Sequence, residues 1–254
     1  LGGLKIIEFS GIGPGPLAGQ LLADLGAEGI IIDRPRNKQG SREINNRNKK
    51  SIVIDLKSKG GIKVCLKLVE KSDILIEGLR PGVMERIGLD PEICFKKNKR
   101  LIYGRITGWG QNGALSQTAG HDINYLGLTG ALSSIGLKNT APIPPLNLVA
   151  DYAGGTMFLI MGILSALWER NRSGAGQIVD AAMVEGVPAL MGYIHNMIAD
   201  GSWINKRESN LLDGGAPFYR CYQTKDGKFL AVGAIEAKFF DELVEHIGIG
   251  NFWK

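Results

Sequence analysis

The sequence is poor in cysteine, histidine and aromatic residues, and each scarcity narrows what it can be. Three cysteines (Cys65, Cys94 and Cys221) lie scattered through 254 residues. An odd, widely spaced set makes neither a disulfide framework nor a zinc-ligand spacing, and it suits a reducing compartment. The longest apolar run, Thr156 to Trp168, is interrupted by Gly162. It falls short of the ~20 residues that a spanning helix needs, so a buried core helix is expected and no membrane partner. No basic, apolar, then small-residue leader opens the chain at Leu1. The net charge is +5. This suits an anionic ligand, although surface lysines more often serve solubility. Without a recognition helix or an aromatic–basic platform, nucleic acid is not an expected partner. The histidines number three (His121, His195 and His246), so a general base near neutral pH has few candidates.

Glycine, by contrast, is abundant. Its 36 positions are about twice the average share of roughly 7%, which implies many tight turns and close backbone approaches. The apolar fraction of 44% is enough for a globular core and too high for low-complexity disorder.

Along the first 110 residues, strand and helix patterns alternate. Strands are predicted at Leu4–Phe9, Gly29–Ile32, Ser51–Leu56, Asp73–Ile76 and Leu101–Ile106, with helices at Leu17–Leu25 and Gly60–Lys71. This is the rhythm of an α/β open parallel sheet, Rossmann-like, in which ligands bind beyond the carboxyl ends of the strands. The segments of most interest are therefore 10–16, 33–36, 55–57, 77–80 and 107–122. Helices are predicted at Tyr152–Arg170 and Met183–Ala199, with a short strand at Gln177–Asp180 between them. A polar stretch near 200–216 reads as a linker. Beyond 217, strands Phe218–Gln223 and Lys228–Val232 flank Lys225-Asp226-Gly227, a hairpin signal, and a helix follows at Ala237–Ile247. The predicted organisation is a large domain over 1–199 and the start of a smaller α+β domain over 217–254.

Gly13-Pro14-Gly15-Pro16-Leu17-Ala18 formally fits a dinucleotide fingerprint, with Asp33 ending the next strand. The two prolines argue against it, because they remove backbone N–H groups from a turn that should cradle pyrophosphate. Arg34 and Arg36 would better meet an extra phosphate than a free ribose. Segment 34–50 holds Arg34, Arg36, Lys38, Arg42, Arg47, Lys49 and Lys50 against the single acid Glu43. Most of these read as a solvated loop. Arg34 is the exception, because it sits at a strand's carboxyl end.

His121 and Asp122 follow a long Gly-rich loop. Asp122 can cap a helix beginning near Ile123, whose N–H groups and dipole would stabilise an enolate oxygen. A lone histidine is more often a structural residue, and His195 and His246 read that way. Asp151 opens an apolar helix. It suits an N-cap equally, or a carboxyl whose pKa is raised by apolar surroundings, as an acid/base group requires. Glu236 ends the second hairpin strand, and Asp213 reads as a turn former.

Several strings occur together and in order. They are Gly13-Pro-Gly-Pro16, Ile32-Asp-Arg-Pro35, Asp55-Leu-Lys57, Arg80-Pro-Gly-Val83, Gly108-Trp-Gly-Gln111, Gly120-His-Asp-Ile-Asn-Tyr125, Pro145-Leu-Asn-Leu148, Asp151, Asp213-Gly-Gly-Ala-Pro-Phe218 and Val232-Gly-Ala-Ile-Glu236. In this the chain resembles the α-methylacyl-CoA racemases of the class III CoA-transferase (CaiB/BaiF) superfamily. The resemblance implies a Rossmann-like large domain, a small domain and an interlocked homodimer. It also implies an acyl-CoA substrate, with coenzyme A as part of that substrate and no metal or redox cofactor. By position, Arg34 would meet the adenine-nucleotide end. Ile54, Asp55, Leu56 and Lys57, with Gly78, Leu79 and Arg80, would line the CoA path, and Arg86 would meet phosphate. Gly120, Ile123, Asn124 and Tyr125 would hold the pantetheine and thioester. His121 and Asp151 would be the two acid/base groups, the Asp122 main-chain N–H would take the enolate oxygen, and Glu236 of the partner subunit would orient His121. The implied location is the cytoplasm in a bacterium, or a peroxisomal or mitochondrial matrix in a eukaryote. Members of the superfamily are longer, so the rest of the small domain is expected outside these residues. A transferase of the same superfamily, with Asp151 as nucleophile, is the rival reading.

Overall fold

The computed structural model of the chain describes residues 1–35 and 44–250. It forms two compact units, one of Leu1–Thr129 with Leu146–Leu190 and one of Gly130–Pro145 with Met191–Lys254. Arg36, Lys38, Arg42 and Glu43 lie outside the described residues.

The first unit is a doubly wound α/β domain. Its six strands are β1 (Lys5–Phe9), β2 (Glu28–Asp33), β3 (Lys49–Val53), β4 (Ile74–Glu77), β5 (Ile102–Thr107) and β6 (Gln177–Ala182). They lie in the order β3-β2-β1-β4-β5-β6, and every pair is parallel. The central strands are buried on both faces and are accordingly near-continuous apolar runs: Ile6 and Ile7 on β1, Ile74 to Ile76 on β4, Ile102 and Tyr103 on β5. Strand order reverses between β1 and β4, which makes the crevice beyond their carboxyl ends the expected binding place. The α/β Rossmann-like expectation is met.

The helices are α1 (Pro14–Asp24), α2 (Lys59–Val69), α3 (Val83–Ile87), α4 (Pro91–Lys97), α5 (Asp122–Leu128), α6 (Phe158–Ser173) and α7 (Met183–Leu190). Gly13 is the N-cap of α1 with φ 68°, a left-handed backbone that favours glycine, and Pro14 starts the helix where its missing N–H costs nothing. Ser58 caps α2, its Oγ accepting from the Gly61 N–H at 3.0 Å. Asp90 caps α4 in the same way, accepting from Ile93 at 3.0 Å. Neither α3 nor α4 was legible in the apolar pattern. β3 begins two residues and ends three residues earlier than expected, so Leu56 falls in the turn before α2.

The segment before α6 departs most from expectation. Leu148–Met157 is a π-helix of 10 residues that runs directly into α6. The continuous helix Leu148–Ser173 has 26 residues and mean hydropathy 1.5 over its best window. By length and composition alone that is enough to cross a membrane, contrary to the short run read along the sequence. Here it packs on β5 and β6, with Leu159 and Ile163 fully buried. α7 lies against the π-helix so closely that a Cβ on Gly186 would stand 1.9 Å from the Gly154 carbonyl oxygen.

The basic segment after β2 is less solvated than its composition suggests. Lys49 Nζ is buried and meets the Glu8 carboxylate at 2.5 Å. Arg47 makes a bidentate pair with Asp24.

The second unit holds α8 (Gly192–Ala199), the antiparallel hairpin β7 (Tyr219–Gln223) and β8 (Phe229–Gly233), and α9 (Ala237–His246). The helix predicted over Met183–Ala199 is thus two helices, divided at Met191. Residues 200–216 carry structure. The Arg207 guanidinium donates to the Ser133, Leu137 and Thr140 carbonyls, which ties in Gly130–Pro145. Asp213 is a turn former, its carboxylate accepting from the N–H groups of Ser209, Asn210 and Gly215.

Candidate active site

Two cavities of the first unit lie at the carboxyl edge of the sheet. The larger has a volume of about 780 Å³ and opens over the ends of β1, β2 and β4. Ser10 to Gly13, Asp33, Arg34, Asn45 and Asn46, and Gly78 to Arg80 line it. The smaller, of about 460 Å³, is bounded by Leu56 to Lys59, Ile62, Arg86 and Ile87. Arg34, Gly78, Leu79 and Arg80 therefore share one cavity, and Leu56, Lys57 and Arg86 the other. Ile54 lines neither; it is buried in the hydrophobic core cluster that also holds Ile32 and Cys65. Asp55 is a turn residue, its Oδ1 accepting from the Lys57 N–H at 3.0 Å.

The floor of the larger cavity carries residues that the sequence reading passed over. Glu8 is buried in β1, and its carboxyl is pushed up to about 7. Burial is the main cause and outweighs Lys49, which pulls the other way, while the charge of Asp33 adds to the rise. Glu77 on β4 is also buried, but it does not line the cavity. Glu77 receives the Arg105 guanidinium at 2.7 Å, and its other oxygen accepts from the Leu79 N–H at 2.8 Å. That bond fixes the backbone of the Gly78–Arg80 lip.

The acid/base candidates line neither cavity; Asp151 comes near the larger one at Gly13, which does line it. α5 starts at Asp122, so His121 is its exposed N-cap, and the His121 N–H donates to Asn124 Oδ1 at 3.0 Å. Asp122 is not the cap that was expected. Its side chain turns inward, and Oδ2 accepts from the N–H groups of both Ala150 and Asp151 at 2.8 Å. Its Oδ1 is buried without a hydrogen-bond partner among the described residues.

Asp151 is the fourth residue of the π-helix, whose N-cap is Asn147. Its carboxyl is raised above the usual range, first by burial and next by the charge of Asp122. A hydrogen bond from the Asn147 side chain and the proximity of His121 act in the opposite sense. Asn147 is a functional candidate that sequence reasoning missed. Its spacing of four residues before Asp151 was the available signal. An ideal Cβ on Gly13 would lie 3.6 Å from Asp151 Oδ2, so glycine leaves the carboxylate facing the β1–α1 turn. The Thr156 hydroxyl holds that arrangement by donating to the Pro14 carbonyl at 2.9 Å.

Tyr125 is buried beneath the site, edge-on to Trp109 at 4.7 Å. Burial, then Asp151, then Asp122 raise its hydroxyl's pKa. Gly108 and Gly120 make room for it; a Cβ on Gly108 would come within 2.1 Å of its ring. Ile123 and Asn124 are exposed on the first turn of α5. Glu236 belongs to the second unit, where it is the exposed N-cap residue of α9.

A doubly wound α/β domain with a crevice at the carboxyl edge of its sheet has the form of a ligand-binding domain. The whole chain, residues 1–254, matches CoA-transferase family III, and it belongs to that family. It is 46% identical over 249 residues to the alpha-methylacyl-CoA racemase of Homo sapiens, covering 98% of this chain. Against that of Mus musculus it is 45% identical over 251 residues, again 98% of this chain. The chain spans 65% of the length of each of these relatives. A crystal structure of a CAIB/BAIF family protein from Brucella suis superposes with TM-score 0.82 at 28% identity, over 98% of this chain and 70% of that one.

Proposed function

We propose that this chain is the larger part of a 2-methylacyl-CoA racemase, exchanging a proton at the α-carbon of an acyl-CoA thioester. The observation that carries the reading is the proximity of His121 to Asp151, whose carboxylate lies near Gly13 on the edge of the larger cavity. The relatives named as racemases support it at 45–46% identity.

The chemistry asks for two groups and an anion site. One group takes the α-proton, and the C–H electron pair moves onto the thioester oxygen to give an enolate. The other group then delivers a proton to the opposite face, and the carbonyl re-forms. His121 and Asp151 exchange the roles of acid and base with the hand of the substrate. The raised pKa of Asp151 suits a carboxyl that must be an acid half of the time. In this reading the Asp122 main-chain N–H at the start of α5 takes the enolate oxygen, and Asn147 orients Asp151. The nucleotide end of CoA lies along Arg34, Arg80, Lys57 and Arg86. The working form is a homodimer in which Glu236 of the partner subunit orients His121.

A transferase reading also uses Asp151. Its carboxylate would attack the thioester carbonyl, the C–S bond would break, and CoA thiolate would leave behind an acyl–Asp151 anhydride. That step has no use for a second acid/base group, whereas His121 stands near Asp151 and racemisation needs one on each face.

The test is incubation of single-hand 2-methylacyl-CoA in heavy water. Racemisation predicts deuterium at the α-carbon together with loss of optical purity, both abolished in His121→Ala and in Asp151→Ala. Transfer of CoA to an added carboxylic acid without α-exchange rejects the proposal.

A further inference from the structure

We infer that the Asp122 carboxylate is a positioning residue: it joins the helix start that bears His121 to the first turn of the π-helix that bears Asp151, and its negative charge sets the field in which Asp151 works. The inference rests on the two-base reading above.

The geometry is specific. One oxygen, Oδ2, receives two adjacent backbone N–H groups, Ala150 and Asp151, each at 2.8 Å. Those donors open a π-helix whose cap, Asn147, gives no side-chain bond to the helix backbone, so Asp122 supplies acceptors from 28 and 29 residues away. Oδ1 faces no donor among the described residues although the residue is only 5% exposed. An unpartnered buried oxygen costs about 1–3 kcal/mol, more for a charged group, and a residue serving only as a staple would not need it.

A neutral side chain with one oxygen could make both N–H contacts. What the carboxylate adds is negative charge beside Asp151, which raises the Asp151 carboxyl together with burial. The other ionisable groups near Asp151 are His121, which lowers it, and Tyr125, which lies beside both carboxylates. The remaining elements packed on the π-helix spend their charges elsewhere. On α1, Asp24 is tied to Arg47. On α6, Arg170 meets Asp73 and Glu169 meets Arg172. On β5, Arg105 is tied to Glu77 and Glu85. Asp180 on β6 and Glu185 on α7 act on one another.

Asp122→Asn keeps an acceptor for both N–H groups and removes the charge. Carboxyl-carbon NMR, with the Asp151 signal assigned by its loss in Asp151→Asn, would follow that group's titration in both proteins. The midpoint is expected to fall in Asp122→Asn. An unchanged midpoint in a folded variant overturns the inference. The α-exchange rate of each hand of substrate gives a second readout. For the hand whose proton Asp151 takes, the acid limb of the pH profile is expected at lower pH in Asp122→Asn. Identical limbs for the variant and the parent overturn the inference, even if both rates drop. Asp122→Ala also frees the two N–H groups, and a loss of about 100-fold in exchange is expected from the misplaced carboxyl. If that variant does not fold, the asparagine variant still decides. Absence of exchange in the parent protein would reject the two-base reading alone, because the NMR titration does not depend on turnover.

Discussion

Replacing Lys49 by methionine should destabilise the protein, and more so at high pH. Lys49 and Glu8 form a pair with side chains 0% and 2% exposed, and methionine keeps much of the stem while deleting the charge. Glu8 then has no cation paired with it among the described residues. A carboxylate stranded in that place neutralises by taking a proton, so the cost has a ceiling: the free energy of protonating a carboxyl whose unfolded pKa is 4.5. At pH 8 that is about 3.5 pH units at ~1.36 kcal/mol each, or about 5 kcal/mol. At pH 5 it is only about 0.7 kcal/mol. The variant should therefore lose about 4 kcal/mol between pH 5 and pH 8, against about 2–3 kcal/mol for the parent with its Glu8 pKa of about 7, so the penalty relative to the parent grows by about 1 kcal/mol. The parent protein already leans the same way. Its Glu8 pKa is raised from 4.5 to about 7 in the folded state. The contribution of Glu8 is therefore fully present below pH 4.5 and is lost as pH rises toward 7, by about 3 kcal/mol in all. Urea unfolding followed by tryptophan fluorescence at pH 5 and pH 8, in matched salt, measures both effects. A Lys49→Met penalty of equal size at the two pH values would refute the reasoning.

Three further outcomes follow from the geometry. Gly186→Ala forces a Cβ to within 1.9 Å of the Gly154 carbonyl, a backbone atom that cannot swing away, so a loss of about 1–3 kcal/mol or more is expected in thermal unfolding. Asn147→Ala removes a hydrogen bond that lowers the Asp151 carboxyl, so the Asp151 titration midpoint should rise, opposite in sense to Asp122→Asn. Arg86→Ala should weaken CoA binding by about 10- to 100-fold, the worth of a charge-assisted contact, and calorimetry should show the defect shrinking as salt is raised.

Much of the sheet could be read directly. β1, β4 and β5 are buried on both faces, so their apolar runs stand out between polar turns. β3 is an edge strand that begins Lys49-Lys50, and its exposed face hid its ends by two and three residues. The π-helix could not be inferred, because Leu148 to Met157 has apolar residues on every side and no period distinguishes a π- from an α-turn. His121 and Asp151 were visible as chemistry, and the structure brings them together. Their support was not. The Asp122 carboxylate acts 28 residues downstream, and Lys49 crosses from β3 to bury its charge against β1. Such long-range pairings leave no local trace, and a basic stretch containing one buried lysine looks in one dimension like any solvated loop.

The π-helical segment also constrains how this chain can change its length. In an α-helix each residue turns the chain by about 100°, so removing one residue between Asp151 and α6 would swing Asp151 by roughly that angle. The carboxyl would leave Gly13, and the two N–H groups would leave Asp122. Substitutions on the exposed side of this helix, at Met157 or Met161, leave that phase untouched. The segment can therefore vary in composition while its residue count stays fixed, as if the count itself were part of the site.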